Sequence, residues 1–353
     1  MKIRIPLFLC LLIVSLSHAQ SGFDRHAMLE NIALNVVLPC HERFVQAAIA
    51  FEEATERLAS SANLAKLETA QAAWKTAGSS WAHCELFQFG GLEIMILHNQ
   101  INKRPNLTQI ANAINSDTEL SSAFIESQGS SMKGLAAAEL LLFSEQGNDA
   151  VLNQLQNERQ RQFLLALAQN LSAKAQELVA YWSPTAQDYA SKFAAADGAD
   201  GSTKGSINMT MNQLISLLEQ INREKLATPL GGTEAGGTAR PETAEAYLSQ
   251  SSSERIVANL EGAISLFTGA NGLGIDDYLD SMDQGLLASQ IIDQLDAARE
   301  ALQDLGSLED AVVNNPERVS QIFNVLKNAL VLTSVDAANQ LGITVTFNDA
   351  DGD

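Results

Sequence analysis

Apolar residues recur along most of this chain at the spacing that places them on one face of a helix. An early example is the set Leu29, Ile32, Ala33, Val36 and Val37, which follows the pattern i, i+3, i+4, i+7, i+8. This pattern is typical of amphipathic α-helices, which turn one apolar face toward a core. A second and longer set has a similar helical spacing: Leu155, Phe163, Leu164, Leu167, Leu171, Leu178 and Tyr181.

The pattern predicts an all-α protein. No segment has the alternation of a β-hairpin, and only residues 343–347 read as extended, a stretch too short to build a sheet. The predicted helices cover residues 24–60, 63–98, 106–116, 130–146, 149–182, 206–228, 252–268, 284–304 and 316–341.

Small residues and glycine interrupt the helical pattern most sharply at residues 194–205. Because this composition is typical of flexible connections, we predict a linker there. It would join an N-terminal helical bundle over residues 20–193 to a C-terminal helical bundle over residues 206–353. A second glycine-containing stretch, residues 229–241, predicts a long surface loop inside the second domain, and long loops are often functional.

Residues 1–19 have the organisation of a secretory signal peptide. Lys2 and Arg4 form its charged start, Ile5–Leu16 its apolar centre and Ser17–Ala19 its cleavage site. We therefore expect export to the periplasm, the cell envelope or the cell exterior. No later apolar run approaches the ~20 residues that span a bilayer, so we expect no transmembrane segment after the signal peptide is removed.

The chain carries a formal net charge of −20. A surface of this sign repels nucleic-acid phosphates and anionic lipids, so nucleic acid is not an expected partner. It suits cationic partners, or it serves solubility alone.

The predicted mature chain retains two cysteines, Cys40 and Cys84. An even number of cysteines in an exported protein favours a disulfide bond. There are two alternatives to the disulfide. One is a metal site formed by the cysteines with the adjacent His41 and His83, and the other is a pair of free thiols. His26, His41, His83 and His98 have no ligand-like spacing with one another, and each is predicted to lie at the surface or to be half-buried.

The segment Lys133–Phe143 resembles the signature helix of the imelysin family, the bacterial envelope proteins classed as M75 peptidases. That family has Gly-x-His-x-x-Glu, and this chain keeps Gly134 and Glu139 but has Ala136 at the histidine position. Further blocks resemble the family in the expected order: residues 73–91, with Trp74, Trp81, Glu85, Phe87, Phe89 and Gly90; the helix 163–182; residues 223–232, with Arg223, Lys225, Leu226, Pro229 and Leu230; residues 245–262, with Glu245, Ser249, Ser252 and Asn259; and the terminal residues 341–353.

The resemblance implies two tandem helical bundles with a cleft at their interface, which the signature helix faces. It also implies a link to iron acquisition. A histidine and a glutamate three residues apart on a helix share one face and can bind one metal ion. Ala136 offers no ligand atom, so the departure from the motif removes half of that pair.

The cleft and ligand-binding candidates are Glu85, Ala136, Glu139, Arg223, Ser249 and Ser252. Glu139 is either a surviving cleft ligand or a structural acid paired with an arginine, since a buried unpaired charge is costly. Glu139 and Glu85 are the weak metal-ligand candidates. Arg223 is a candidate counter-charge for either acid, or a clamp for an anionic ligand. Ser249 and Ser252 would contact a ligand or cap a helix; no base stands beside them, so no catalytic residue is assigned.

Three functional hypotheses follow. The first is a non-catalytic, exported binding or accessory protein linked to iron acquisition, with a small ligand or an envelope protein as partner. The second is a metallopeptidase with a rearranged metal site, which needs about three protein ligands and an open position for water. The third is a structural partner of an outer-membrane protein. No cofactor is firmly implied, and a divalent metal or iron is the candidate.

Overall fold

The computed structural model describes residues 22–90, 92–196, 205–232 and 237–346. Across these ranges helices are the only regular structure, and no strand is formed. The all-α prediction is therefore confirmed. The predicted signal peptide, most of the predicted linker, residues 233–236 of the predicted loop and the terminal residues 347–353 lie outside the described residues.

The first half of the chain contains long helices separated by short ones. Its helices are α1 (Arg25–Asn31), α2 (Leu38–Ser60), α3 (Leu64–Cys84), α4 (Leu92–Ile101), α5 (Leu107–Asn115), α6 (Ser122–Glu126), α7 (Gly134–Leu142), α8 (Asn148–Gln154), α9 (Glu158–Trp182) and α10 (Tyr189–Ala195).

The second half has the same character. Its helices are α11 (Ser206–Gln220), α12 (Thr228–Leu230), α13 (Ser252–Thr268), α14 (Ile275–Asp280), α15 (Gly285–Gln303), α16 (Leu308–Asn314), α17 (Pro316–Val331) and α18 (Ala338–Gln340).

Within the described residues, three π-helical segments lie inside longer helical runs. They occupy Ile32–Val37, Ile221–Ala227 and Leu332–Ala337. A π turn inserts an extra residue into a helix and is frequently found at functional sites. We refer to Ile221–Ala227 as the second π turn, because it carries residues of the site described below.

Helix α2 packs against both α3 and α9 at the centre of the first half. A disulfide bond joins Cys40 on α2 to Cys84 at the end of α3, with a Cα–Cα distance of 5.8 Å. The predicted disulfide is thus present, and it fixes the end of α3 to the neighbouring helix. Closing a loop of this length stabilises a fold by about 4 kcal/mol in the chain-entropy account.

Helices α3 and α13 bring the two halves of the chain together. Gly262 on α13 allows this approach, since a Cβ atom there would lie 2.1 Å from the carbonyl oxygen of His83. The buried apolar residues form one cluster that includes both Met28 and Ala337. The division into two bundles stays a prediction, and the halves meet through packed core.

Two of the predicted helices are interrupted. The predicted helix 63–98 ends at Cys84 and resumes at Leu92, and the one over 149–182 breaks around Asn157. Asn157 accepts a hydrogen bond from the backbone of Arg159 and so caps a new helix. Four helices that the pattern did not predict, α6, α10, α14 and α16, are only five to seven residues long, too short to show a full apolar period.

Candidate functional site

The site begins at the start of α7, the helix that contains the recognised motif. Gly134 has a φ of 74°, and a Cβ atom there would lie 2.0 Å from the carbonyl oxygen of Ile101. Only glycine accommodates both this left-handed backbone and this close approach. The indole nitrogen of Trp74 donates to the carbonyl oxygen of Leu135 at 3.0 Å, which fixes α7 against α3.

Glu139 lies one turn further along α7 and is only 6% exposed. Its Oε1 atom accepts a hydrogen bond from the backbone N–H of Ser249 at 3.0 Å. Burial raises the pKa of Glu139, while the nearby Arg255 and the hydrogen bonds from Ser249 oppose that shift. Ala136 is half-buried, and it presents a methyl group where the family motif has a histidine.

Lys225, on the second π turn, is the cation at the centre of the site. Its Nζ atom lies 2.8 Å from Glu85 Oε2 and 2.9 Å from Glu245 Oε2, and it donates to Asn259 Oδ1 at 2.8 Å. Burial works against the charge of Lys225, yet the carboxylates of Glu245 and Glu85 hold its pKa above the ordinary value. Burial likewise works against the charge of Glu245, but Lys225 and Arg255 lower its pKa to about 2.

Arg255 on α13 is the second buried cation, at 2% exposure. Its Nη1 atom lies 3.3 Å from Glu245 Oε1, which also accepts from Asn102 at 2.9 Å. The guanidinium carbon stands 4.7 Å from the centre of the Trp74 ring, a cation–π arrangement. Gly78 makes room for this group, because a Cβ atom there would lie 2.7 Å from Arg255 Nη2.

These residues form one buried polar cluster that joins the two halves of the chain. We call it the interface network; its members are Glu85, Asn102 and Glu139 from the first half and Lys225, Glu245, Ser249, Arg255 and Asn259 from the second. Removing one partner from such a network leaves an uncompensated buried charge, so its parts depend on one another.

The sequence profile of the Imelysin family, peptidase M75, matches residues 37–337. The chain belongs to the imelysin family. Its fold is similar to the crystal structure of an imelysin-like protein from Psychrobacter arcticum 273-4, with a TM-score of 0.77 and 18% identity over 92% of this chain and 97% of that one.

A second similar structure is a candidate iron-regulated protein A precursor from Parabacteroides distasonis ATCC 8503. Its TM-score is 0.72, with 15% identity over 91% of this chain and 95% of that one. No curated protein matches the chain at a significant level. Among the described helices of this imelysin-family chain, none combines the length and apolar character that crossing a membrane requires.

The structure brings Glu139 and Ser249 together and buries both. Ser252 is also buried; its hydroxyl accepts from the backbone N–H of Ala246 at 2.9 Å, and so shapes the segment before α13. Arg223, in contrast, has a side chain that is 62% exposed and lies 3.7 Å from Glu219. In this imelysin-family fold the cation beside Glu85 is Lys225, and the cation near Glu139 is Arg255.

The network residues that received no role in the sequence analysis are Asn102, Lys225, Glu245, Arg255 and Asn259. Lys225, Glu245, Arg255 and Asn259 lie in segments that resemble imelysins, so the resemblance was the available signal. Arg255 lies in the apolar-periodic stretch of α13, where a lone arginine gave no indication that it would be buried. Glu139, Ser249 and Ser252 are buried, whereas Glu85 and Ala136 are half-buried and Arg223 is exposed. The predicted cleft stays a prediction.

The predicted positions of two histidines are wrong. His41 and His98 are 0% and 4% exposed, and neither ring nitrogen of His41 has a hydrogen-bond partner in the described part of the chain. They are enclosed by aromatic core, as Trp81 lies 4.7 Å from His98 and Phe87 lies 6.1 Å from His41 between ring centres. Burial lowers the pKa of His41 to about 3.

The residues present do not fit the catalytic zinc site that the peptidase name of the family implies. Such a site needs about three protein ligands and an open position. Across the described residues, no group of three histidine, cysteine or acidic side chains could hold a metal ion. Glu85 is paired with Lys225 and Asn259, and Glu139 with Ser249, so both acids already serve the interface network.

Proposed function

We propose that this imelysin-family chain is a non-catalytic binding or accessory protein of the bacterial cell envelope, with a role linked to iron acquisition. The observation that carries the proposal is the pair of positions 136 and 139 on α7. Ala136 supplies no metal ligand, and Glu139 accepts a hydrogen bond from the backbone of Ser249.

The chemistry of this donor set favours binding over hydrolysis. A hydrolytic metal site must hold the ion and activate a water molecule, which takes open coordination positions as well as ligands. Here the strongest charged neighbour of Glu139 is the cation Arg255, ahead of the acid Glu245, and a backbone N–H donates to its carboxylate. A nearby arginine repels a divalent cation, so this environment opposes metal binding at Glu139.

The iron-linked part of the proposal is supported by the relatives. The similar protein from Parabacteroides distasonis is named as a candidate iron-regulated protein A precursor. The word precursor in that description also supports export, in agreement with the signal peptide predicted over residues 1–19. We place the chain in the periplasm or at the cell surface, where an acidic protein would meet a small ligand or an envelope protein.

The proposal is tested on protein purified from its native compartment. Metal analysis, a ligand-dependent melting screen and a proteolysis assay with and without a chelator are run on the same preparation. We expect no stoichiometric zinc and no chelator-sensitive cleavage, and a rise in melting temperature with a specific ligand. Chelator-sensitive cleavage that Glu139→Ala abolishes would overturn the non-catalytic part. Unchanged protein abundance under iron limitation would overturn the iron-linked part.

A further inference from the structure

A second polar site lies at a cavity of about 380 Å³ between the second π turn and α17. None of its lining residues belongs to the interface network. The residues that matter here are Glu219, Asn222, Arg223, Phe323, Lys327 and Leu330.

Asn222 lines this cavity and is 3% exposed. Both of its amide atoms, Nδ2 and Oδ1, are buried, and neither has a hydrogen-bond partner within the described residues. Leaving a buried amide unsatisfied costs stability, so a molecule in the cavity that hydrogen-bonds to it would be stabilised there. The terminal torsion of an asparagine side chain is soft, and a small rotation can present the amide to a molecule in the cavity. Its position on a π turn also fits a functional role.

The charged residues of the cavity favour an anion. Arg223 and Lys327 are the two cations that line it, and Glu219 is the acid, 3.7 Å from Arg223. On a chain of net charge −20, two cations that line one cavity make it a favourable place for a carboxylate. Phe323 and Leu330 supply apolar side chains to the lining of the cavity. Sites for small ligands combine such an apolar lining with a few polar groups.

We propose that this cavity binds a small α-carboxylate that bears an N–H group on its α-nitrogen and an apolar side chain. A free amino acid and the C-terminal residue of a peptide share this chemistry. The ligand N–H would donate to Asn222 Oδ1, and one carboxylate oxygen would accept from Asn222 Nδ2. The other carboxylate oxygen would face Arg223 and Lys327, and the apolar side chain would lie on Phe323.

The ligand series is measured on the unmodified mature chain by isothermal titration calorimetry, with leucine, N-acetylleucine and N-acetylleucinamide as probes. We expect saturable binding of one or both carboxylates. N-acetylleucinamide should bind about tenfold more weakly or not at all, because it lacks the charge that the cations recognise. Binding of leucine alone would identify a free amino acid, whereas binding of N-acetylleucine would identify a peptide end.

The variant series uses Asn222→Leu, Lys327→Gln and Lys103→Gln, the last an exposed lysine outside the cavity. Asn222→Leu should weaken carboxylate binding about tenfold or more while it raises the melting temperature, because it removes an unsatisfied buried amide. Lys327→Gln should lower the affinity for the carboxylate and make that affinity less dependent on salt concentration. Lys103→Gln should change neither quantity. The site is refuted if neither carboxylate binds at millimolar concentration, if the carboxamide binds equally well, or if a folded Asn222→Leu chain binds as the wild type does. The ligand series needs no variant, so it decides the matter even where Asn222→Leu fails to fold.

Discussion

Lys225 Nζ lies 2.8 Å from Glu85 Oε2, and this ion pair joins the second π turn to the residue that follows α3. Both side chains are buried, at 5% and 12% exposure, so the pair is shielded from water. A buried ion pair of this kind contributes little net stability to a fold, but removing one of its partners is strongly destabilising.

The first prediction concerns this ion pair. Lys225→Met leaves Glu85 and Glu245 without their common cation, and we expect a loss of about 3–5 kcal/mol in the free energy of unfolding. The measurement is chemical denaturation at neutral pH. Lys103→Met, which removes an exposed lysine, is the matched control and should change stability by no more than about 0.5 kcal/mol. Equal stability of the two variants would contradict the role of Lys225 in the network.

The second prediction is a loss of stability in acid through Glu245. Its folded pKa of about 2 lies below the ordinary value of 4.5, so the unfolded chain binds this proton more tightly. The contribution is present above pH 4.5 and is lost as the pH falls toward 2, with a total of about 3 kcal/mol. Unfolding free energies across this range should fall less steeply in Glu245→Gln than in the wild type. Parallel pH profiles would be incompatible with the assigned charge state.

The third prediction concerns His41. Because burial lowers its folded pKa from 6.5 to about 3, the unfolded state takes up a proton first as the pH is lowered. The stability contributed by the neutral ring is present above pH 6.5 and is lost as the pH falls toward 3. Between pH 6.5 and 4 this loss should reach about 3 kcal/mol. His41→Phe should flatten the melting temperature against pH over this interval, and an unchanged slope would place His41 in contact with water.

The fourth prediction tests the contact between α3 and α13. Gly262→Ala would push a methyl group into the carbonyl oxygen of His83, and we expect it to destabilise the protein by more than about 2 kcal/mol. Gly129→Ala is the matched control, since no atom lies within 4 Å of the added methyl group. Thermal unfolding of both variants measures the difference. A stable Gly262→Ala chain would mean that the helices are further apart than described.

The sequence predicted those features that depend on local pattern. Apolar periodicity predicted the long helices, and the even number of cysteines predicted the bond between Cys40 and Cys84. Trp81, Phe87 and Phe89 of the family-like segment 73–91 are buried core aromatics. The helices follow from local spacing, and the disulfide follows from the number of cysteines.

The interface network could not be predicted in the same way, and Lys225 shows the reason. Arg223 and Lys225 are two residues apart in the predicted helix 206–228. The helical spacing alone does not show which of the two side chains faces the core. The π turn adds a residue to the helical repeat, so the face that meets Glu85 carries Lys225. The partners of Lys225 lie 140 residues away at Glu85 and 34 residues away at Asn259, a relationship that local pattern does not contain.

The central claim is that Ala136 removes the metal-binding chemistry of the family motif, and zinc titration of four chains tests it most directly. They are the wild type, Ala136→His, Ala136→Gln and the double variant Ala136→His with Glu139→Ala. The glutamine controls for side-chain bulk, and the double variant controls for histidine alone. We expect Ala136→His alone to bind zinc more tightly than the wild type, because only that chain has both ligands three residues apart on α7. Stoichiometric zinc binding by the wild type would contradict the account.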